Sequence, residues 1–366
     1  MKWKINSLQY VTLMAFPIIG TIIGIGSQIL FINSSVDSYL SIIVTGILGF
    51  FYLGMLYFVL NYRGSLSLFD VSREILGKFW GNVCNCILCL VGIVIATTSL
   101  FSISNFVSSQ YLIRTPLGLV SILMIFVVMF NVSKGFQVIS RVGTIILLIN
   151  FTLFFVAVLG LIPNIKMNNI MPFMGEGIGN VFKGGVLLMF TNIVPIFLIG
   201  AVKMDNITDR ERVKKYGTFI YVFSLVICFL IVFVTATALG KYLIAMYQYP
   251  EYLVTQKISF MDFIDRIENL IAMQWIFGAV MYISIVIYFV TVFVCHKEED
   301  RPNRIVIFVS SVLILILCNV CFKNNTLFDY FITNIYPFIC MGAFVIITLL
   351  FVLTLFKKRG VKTGNC

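Results

Sequence analysis

The chain has 366 residues, of which 60% are hydrophobic and only 11% are charged. An ordinary soluble domain has about 45–50% apolar and about 25% charged residues, so this composition excludes a water-soluble globule and indicates a protein that uses lipid as its solvent. The net charge of +11 does not call for a nucleic acid partner, because an anionic lipid leaflet attracts the same basic segments.

Ten apolar runs of about 18 residues or more predict transmembrane helices. They lie at about 8–32, 38–60, 82–103, 117–133, 142–162, 184–202, 217–240, 269–294, 304–322 and 335–356. The runs are continuously apolar and do not alternate, which excludes a β-barrel. We therefore predict an all-α integral membrane protein, in which residues 1–366 form a single transmembrane domain.

Basic residues are unevenly distributed between the two sides of the predicted bundle. With the N-terminus in the cytoplasm, 19 of the 26 Lys and Arg residues fall in inner segments. The positive-inside rule then places both termini in the cytoplasm.

The spans contain little chemistry of the kind that enzymes use. No Asp, Glu, Lys or Arg lies centrally in any span, and the single histidine, His296, lies in the inner segment HKEED. The cysteines of CNCILC (Cys84, Cys86 and Cys89) fit no standard zinc spacing and are interpreted as small apolar residues. We predict no enzymatic activity, no metal and no cofactor. A ligand site would have to consist of backbone dipoles, hydroxyls, amides and aromatic faces.

Helix-breaking residues interrupt the first and sixth spans. The first contains FPIIGTIIGIGS, with Gly20, Gly24 and Gly26, and the sixth contains TNIVPIFLIG, with Asn192 and Pro195. These spans correspond in two five-helix halves of opposite orientation, about 8–162 and about 184–356. Paired interrupted helices in inverted halves indicate a transporter-type site near the membrane midplane. The alternative is that the glycines only allow close helix packing.

An unwound helix exposes N–H groups that suit a carboxylate and carbonyls that suit an ammonium group. A small zwitterion such as an amino acid is therefore the predicted ligand. The third, eighth and tenth spans contribute further candidates, although hydroxyls often bond to their own helix and tyrosines often only pack. The candidate ligand-binding residues are Gly20, Thr21, Gly24, Ile25, Gly26, Thr98, Asn192, Pro195, Phe197, Tyr282, Ser284 and Phe338.

Two outer segments have recognisable character. PNIKMNNIMPFMGEGIGNVFKGG, before the sixth span, is predicted to be an ordered loop, and its glycines follow no strand, so they form no dinucleotide fingerprint. Residues about 258–268 show apolar residues at helical spacing and a capping box, which predicts an amphipathic helix on the outer face. This helix is either a gate or partner surface, or a cover for the bundle.

The segment KISFMDFIDRIENLIAMQWIF closely resembles the one before the eighth span in B subunits of bacterial spore germinant receptors. INSLQYVTLMAFPIIGTIIG and IMPFMGEGIGNVFKGG also resemble that family, which is grouped with the amino acid–polyamine–organocation transporters. The resemblance implies a sensor of small germinants, often amino acids, that acts with A and C subunits in the spore inner membrane. It places the ligand region at Gly20, Gly24 and the broken sixth span.

Other functions remain open at this point. The chain is a receptor subunit, an independent amino acid permease or a germinant-gated ion conductor. The lack of an obvious buried carboxylate argues against proton coupling through an acidic side chain, whereas backbone carbonyls at helix breaks leave sodium coupling open.

Overall fold

A computed structural model of the chain describes residues 3–256, 268–296 and 302–363, except for the side chains of 270 and 358–363. These residues include eight helical stretches that are long and apolar enough to cross a membrane, together with shorter apolar helices at Ser7–Ile19 and Leu117–Ser133. The predicted all-α membrane architecture is confirmed. The count of ten spans and the inverted repeat stay predictions. One helical stretch, Ile22–Leu60, includes parts of both the first and the second predicted spans.

The first predicted span consists of several pieces. A two-residue strand, β1 (Ile5–Asn6), precedes it and pairs in parallel with β2 (Ile207–Thr208). The pieces that follow are α1 (Ser7–Thr12), α2 (Ala15–Ile19), a π-helical turn (Ile22–Gly26) and α3 (Ser27–Ser34). Within the turn the backbone leaves helical geometry at Ile23 (ψ 127°) and at Gly24 (φ 79°). Gly24 allows this break because a left-handed φ carries little steric cost only for glycine.

The remaining helices follow in chain order after a 3₁₀ turn at Ser35–Asp37. They are α4 (Ser38–Leu60), α5 (Leu68–Gln110), α6 (Leu117–Ser133), α7 (Phe136–Leu161), α8 (Ile178–Leu188), α9 (Val213–Met246), α10 (Pro250–Thr255), α11 (Glu268–Cys295), α12 (Arg304–Cys321), α13 (Asn325–Asn334) and α14 (Tyr336–Thr363). The predicted amphipathic helix at about 258–268 lies outside the described residues, apart from Glu268, the first residue of α11.

The sixth predicted span changes helix type halfway along its length. After α8 the chain forms a π-helical turn (Met189–Ile193) and then eight residues of 3₁₀ helix (Val194–Ala201), and Val202 is extended. Runs of 3₁₀ helix this long are uncommon and often mark a hinge or strain. The interruption predicted here therefore takes a different form from that in the first span, because no extended residue separates two half-helices.

Two central elements hold the bundle together. Ile178–Ala201 and Ile271–Cys295 are the most buried of the described candidate spans, each with 83% of its most apolar stretch inside the protein. α11 packs against α5, α6, α7 and α12, and α8 packs between α3 and α4. The core is therefore built around α8 and α11.

The loop between α7 and α8 is anchored by a buried carboxylate, in line with the predicted ordered loop. Asp37 is fully buried and accepts the backbone N–H groups of Met174 (3.2 Å) and Glu176 (3.1 Å). The Asn169 amide donates to the Thr237 carbonyl at 2.8 Å, and Glu176 also pairs with Lys241. These bonds fix the loop to the ends of α3 and α9.

A substitution at Gly185 on α8 tests how closely α8 packs against α4. A side chain at this position would begin 2.7 Å from the Ser41 carbonyl and 2.7 Å from Val44, too close for real atoms. We expect Gly185→Ala to force the helices apart and to cost about 1–3 kcal/mol, measured as a lower melting temperature in detergent.

Gly179→Ala is the matched control, since Gly179 lies on the same helix and has nothing within 4 Å of its would-be side chain. The control should keep or slightly raise the melting temperature because alanine favours helix. Equal melting temperatures for the two variants would contradict the proposed packing.

Candidate functional site

A cavity of about 70 Å³ lies beside the break in the first span, enclosed by α2, α7, α9, α10 and α11. This volume is enough for several water molecules or a small ligand. Gly20 and Ile23 border it from the first span, and Phe16, Phe154 and Leu161 contribute apolar surface. A mostly apolar cavity with a few polar groups is the usual character of a small-molecule site.

Glu251 on α10 is the one ionisable side chain among the described residues that line this cavity. It is only 4% exposed, and neither of its carboxyl oxygens has a hydrogen-bond partner within the described parts of the chain. This cavity therefore contains an ionisable side chain, a kind of group that the sequence-based expectation for a ligand site did not include. The physical reason is that α10, too short to be recognised as a span, packs against α9 and turns Glu251 into the bundle.

The environment of Glu251 favours its neutral form. Burial raises the pKa of its carboxyl to about 7, and the nearby Ser27 hydroxyl offsets part of that effect. An uncompensated charge in an apolar site is costly, so the carboxyl holds its proton to an unusually high pH. The site therefore contains a group that changes charge near neutral pH.

Amides and hydroxyls supply the other polar groups of the cavity. The Gln274 amide donates to the Asn150 backbone carbonyl at 2.6 Å, and the side-chain oxygen of Asn150 has no partner among the described residues. Thr235 and Thr255 use their hydroxyl protons on carbonyls of their own helices, at 2.8 Å and 2.7 Å. Their oxygens remain available as acceptors.

Trp275 connects the cavity to the break. Its indole lines the cavity and packs against Phe106 (4.4 Å between ring centroids) and Tyr249 (5.6 Å). A side chain at position 24 would begin 2.8 Å from the indole. Position 24 therefore requires glycine for two reasons: its backbone is left-handed, and the Trp275 ring leaves no room for a side chain.

The two interrupted spans meet at a hydrogen bond. The Asn192 amide donates to the Ile18 carbonyl at 3.1 Å, and the Cys228 thiol lies 3.5 Å from the same oxygen. A side chain at Gly26 would begin 3.1 Å from that amide. The Ile18 carbonyl beside the break therefore accepts from the protein itself. Thr21, likewise, donates to the Pro17 carbonyl.

Gly20 is the predicted site residue that borders the cavity, and the structure does not bring the others to it. Ile25, Pro195 and Phe197 are buried in packed surroundings, where Phe197 contacts Phe289. Phe338 is 59% exposed on the outer surface of α14.

Three further predicted residues lie in the interior, away from the cavity. Thr98 donates to carbonyls of its own helix, the alternative considered for it from the sequence. Ser284 accepts from the Asn131 amide at 2.9 Å. Tyr282 is buried, and its hydroxyl has no partner among the described residues.

Four residues that line the cavity were not among the predicted site residues, namely Glu251, Trp275, Asn150 and Gln274. Glu251 lies in YQYPEYLVT, where aromatic and branched apolar neighbours surround a single acidic residue. These hydrophobic neighbours indicate that Glu251 is buried. The segment nevertheless lies in a predicted outer region, where charged side chains ordinarily face water. Trp275 and Gln274 lie within an apolar run whose inward face only the packing defines.

The hydrogen bond between Asn192 and Ile18 leads to a stability prediction. We expect Asn192→Ala to leave the freed carbonyl without its amide donor in a buried place, and to lower stability by about 1–3 kcal/mol. Thermal unfolding in detergent measures the effect. Asn334→Ala is the control, since that exposed amide bonds only within its own helix. A loss no larger than that of the control would show that Asn192 does not support the break.

The sequence is similar to those of spore germination proteins. A family model described as "Spore germination protein" matches residues 4–327. Spore germination protein XB of Bacillus anthracis is 22% identical over 333 residues, covering 89% of this chain and 91% of that protein. Spore germination protein A2 of Bacillus subtilis (strain 168) is 22% identical over 340 residues, covering 83% and 89%.

Solved structures of a manganese transporter from Eremococcus coleocola share the fold. A mutant of it superposes with a TM-score of 0.61 at 12% identity, covering 98% of this chain and 89% of that one. Its complex with an aromatic bis-isothiourea substituted compound gives a TM-score of 0.59, also at 12% identity. The likeness concerns the fold alone, and the described residues contain no group of three or more His, Cys, Asp or Glu suited to hold a metal ion.

Proposed function

Because this chain belongs to the family of spore germination proteins, we propose that it senses a small germinant in the cavity beside the broken first span. The family and the transporter-like fold make it a germinant receptor-like or permease-like integral membrane protein. The observation that carries the proposal is the position of the cavity, which borders the break directly at Gly20 and Ile23.

The geometry gives a ligand a means of changing the conformation. A molecule in the cavity would contact the Trp275 indole, and that ring lies against Gly24, where the backbone leaves the helix. Ligand binding shifts a conformational equilibrium only by binding its states with unequal affinity. A state in which the indole moves and the break straightens would have a differently shaped cavity, and so a different affinity.

An amino acid is the proposed germinant class, and the germinant receptor A and C subunits are the proposed partners. The support is the resemblance of the sequence to receptor B subunits, together with an apolar cavity of small-molecule size. The proposed location is the spore inner membrane with both termini in the cytoplasm, supported by the excess of basic residues in the predicted inner segments.

An independent amino acid permease is the second candidate, and a germinant-gated ion conductor is a third that overlaps both. The observation that favours a permease is Glu251, since buried ionisable groups in membrane proteins often belong to proton relays. Deleting the gene distinguishes the candidates. A receptor subunit predicts loss of germination with one nutrient, whereas normal germination with impaired uptake of one amino acid would favour the permease.

Filling the cavity tests whether it is the ligand site. Ala157 on α7 lines the cavity and is 5% exposed. We expect Ala157→Phe to abolish the increase in melting temperature that an amino acid ligand gives the purified protein, because the phenyl ring occupies the ligand's space. A panel of amino acids, sugars and nucleosides identifies the ligand on the wild-type protein.

Val156→Phe is the matched control, because the neighbouring Val156 faces outward and is 42% exposed. It should keep the ligand response. A response that survives in Ala157→Phe would place the ligand elsewhere, and a response to nucleosides alone would exclude an amino acid germinant.

A further inference from the structure

The unpaired polar atoms around the cavity share one chemical property. The two carboxyl oxygens of Glu251 and the side-chain oxygen of Asn150 are buried acceptors that no described residue meets at hydrogen-bond geometry, although the Ser27 hydroxyl is a nearby donor that acts on Glu251. The hydroxyl protons of Thr235 and Thr255 are already committed to helix carbonyls, so these side chains also offer only lone pairs. Buried acceptors are normally satisfied, and a ligand that enters this cavity should therefore bring donors.

No positive side chain among the described residues that line the cavity balances Glu251. α10 packs against α9, α11 and α7. Lys214 and Lys215 lie in the first turn of α9, several turns before the cavity-lining residues 230–235 of that helix. Lys241, near the end of α9, forms an ion pair with Glu176. Glu268, at the start of α11, interacts electrostatically with Tyr111. Arg141 is exposed in the second turn of α7, about 9 Å along the helix axis before the first cavity-lining residue, Leu147.

The remaining titratable groups near α10 also have other partners. Tyr249 accepts the Asn105 amide at 2.7 Å, and Tyr252 bonds to the Tyr111 hydroxyl at 2.9 Å. Asp329 on α13 accepts from Gln28. Burial is the dominant influence on Glu251, and no charged group in the described structure competes for it.

We propose that Glu251 is the anionic anchor for the ammonium group of a small amine that has a compact apolar body. The inference rests on the proposed function, and it specifies the ligand's chemistry at the same cavity. An ammonium group supplies three donors and a positive charge, which match the unpaired acceptors that line the cavity. The Trp275 indole offers an aromatic face that also attracts a cation.

The rest of the cavity indicates what the ligand body should be. Phe16, Leu147, Phe154 and Leu161 provide hydrocarbon surface, which favours a branched alkyl chain. The described lining residues include no Lys, Arg or His to pair with a carboxylate. The ammonium group therefore dominates recognition, and a carboxylate on the ligand contributes less than the zwitterion hypothesis assumes.

Protonation of Glu251 competes with amine binding. Since burial raises the pKa of this carboxyl to about 7, the site is mostly neutral at about pH 6 and mostly charged at about pH 8. An alkylamine stays protonated across this range, so affinity should rise about tenfold from the lower to the higher pH. Without ligand, the raised pKa stabilises the fold below the unfolded-state pKa and destabilises it as the pH rises through about 7.

Isobutylamine and isovalerate test the inference, because one carries only the ammonium group and the other only the carboxylate on a similar branched chain. Isobutylamine should raise the melting temperature of the full-length protein in detergent at about pH 8 and should do so less at about pH 6. Isovalerate should have no effect at either pH. A larger effect of isovalerate than of isobutylamine would overturn the inference.

Glu251→Gln keeps the shape of the side chain and removes its charge. We expect this variant to bind isobutylamine at least about tenfold more weakly at about pH 8 and to lose the pH dependence. Its melting temperature without ligand should exceed that of the wild type at the higher pH, a readout that does not depend on any ligand. Glu176→Gln, an acidic residue outside the cavity, is the control and should keep the binding of isobutylamine.

The outcomes separate this inference from the proposed function. Equal isobutylamine binding by the wild type and Glu251→Gln, or no binding by either, would overturn the role of Glu251. An amino acid response that Ala157→Phe abolishes and Glu251→Gln retains would overturn the inference while supporting the cavity as the germinant site.

Discussion

Inside a membrane, a backbone carbonyl that loses its helical partner has no water to replace it, and the structure around the first span depends on how this requirement is met. The Asn192 amide donates to the Ile18 carbonyl, so the sixth span satisfies the break in the first. Neither interruption is isolated, because each lies against the other. The bond allows the chain to leave helical geometry at Ile23 and Gly24 without exposing an unpaired carbonyl at Ile18 to hydrocarbon.

Close approaches then determine the shape of the space beside the break. A side chain at Gly20 would begin 3.6 Å from the Gly278 carbonyl of α11, an ordinary contact distance, whereas one at Gly24 would begin 2.8 Å from the Trp275 indole, too close for real atoms. α11 therefore contacts the first span at two successive turns, and the tighter contact is at Gly24. α7, α9 and α10 form the rest of the cavity wall. A molecule in the cavity would contact the Trp275 indole, which in turn contacts Gly24 at the break.

The unpaired polar groups of the cavity named above are hydrogen-bond acceptors without matching donors among the described residues, and this excess of acceptors is the main chemical feature of the site. A buried carboxyl, an unpaired amide oxygen and two hydroxyl oxygens face a space that is otherwise hydrocarbon. Such groups are costly to bury, and buried carboxyls with strongly shifted pKa values concentrate at functional sites. The proposed sensor of small amines or amino acids has a use for this arrangement, as does the alternative, a proton-coupled carrier.

The sequence by itself determined the membrane environment and the all-helical architecture and indicated an interruption of the first span, because composition, continuous hydrophobic runs and glycine's backbone freedom are local properties. The structure located that interruption at Ile23 and Gly24. The sequence also indicated that the first and sixth spans belong together. The tertiary structure alone decided which side chains line the cavity, since Phe338 on an apolar span faces outward while Glu251 from an outer segment faces inward. The direction of a side chain depends on which helices pack around it, and a local pattern of residues does not contain that information.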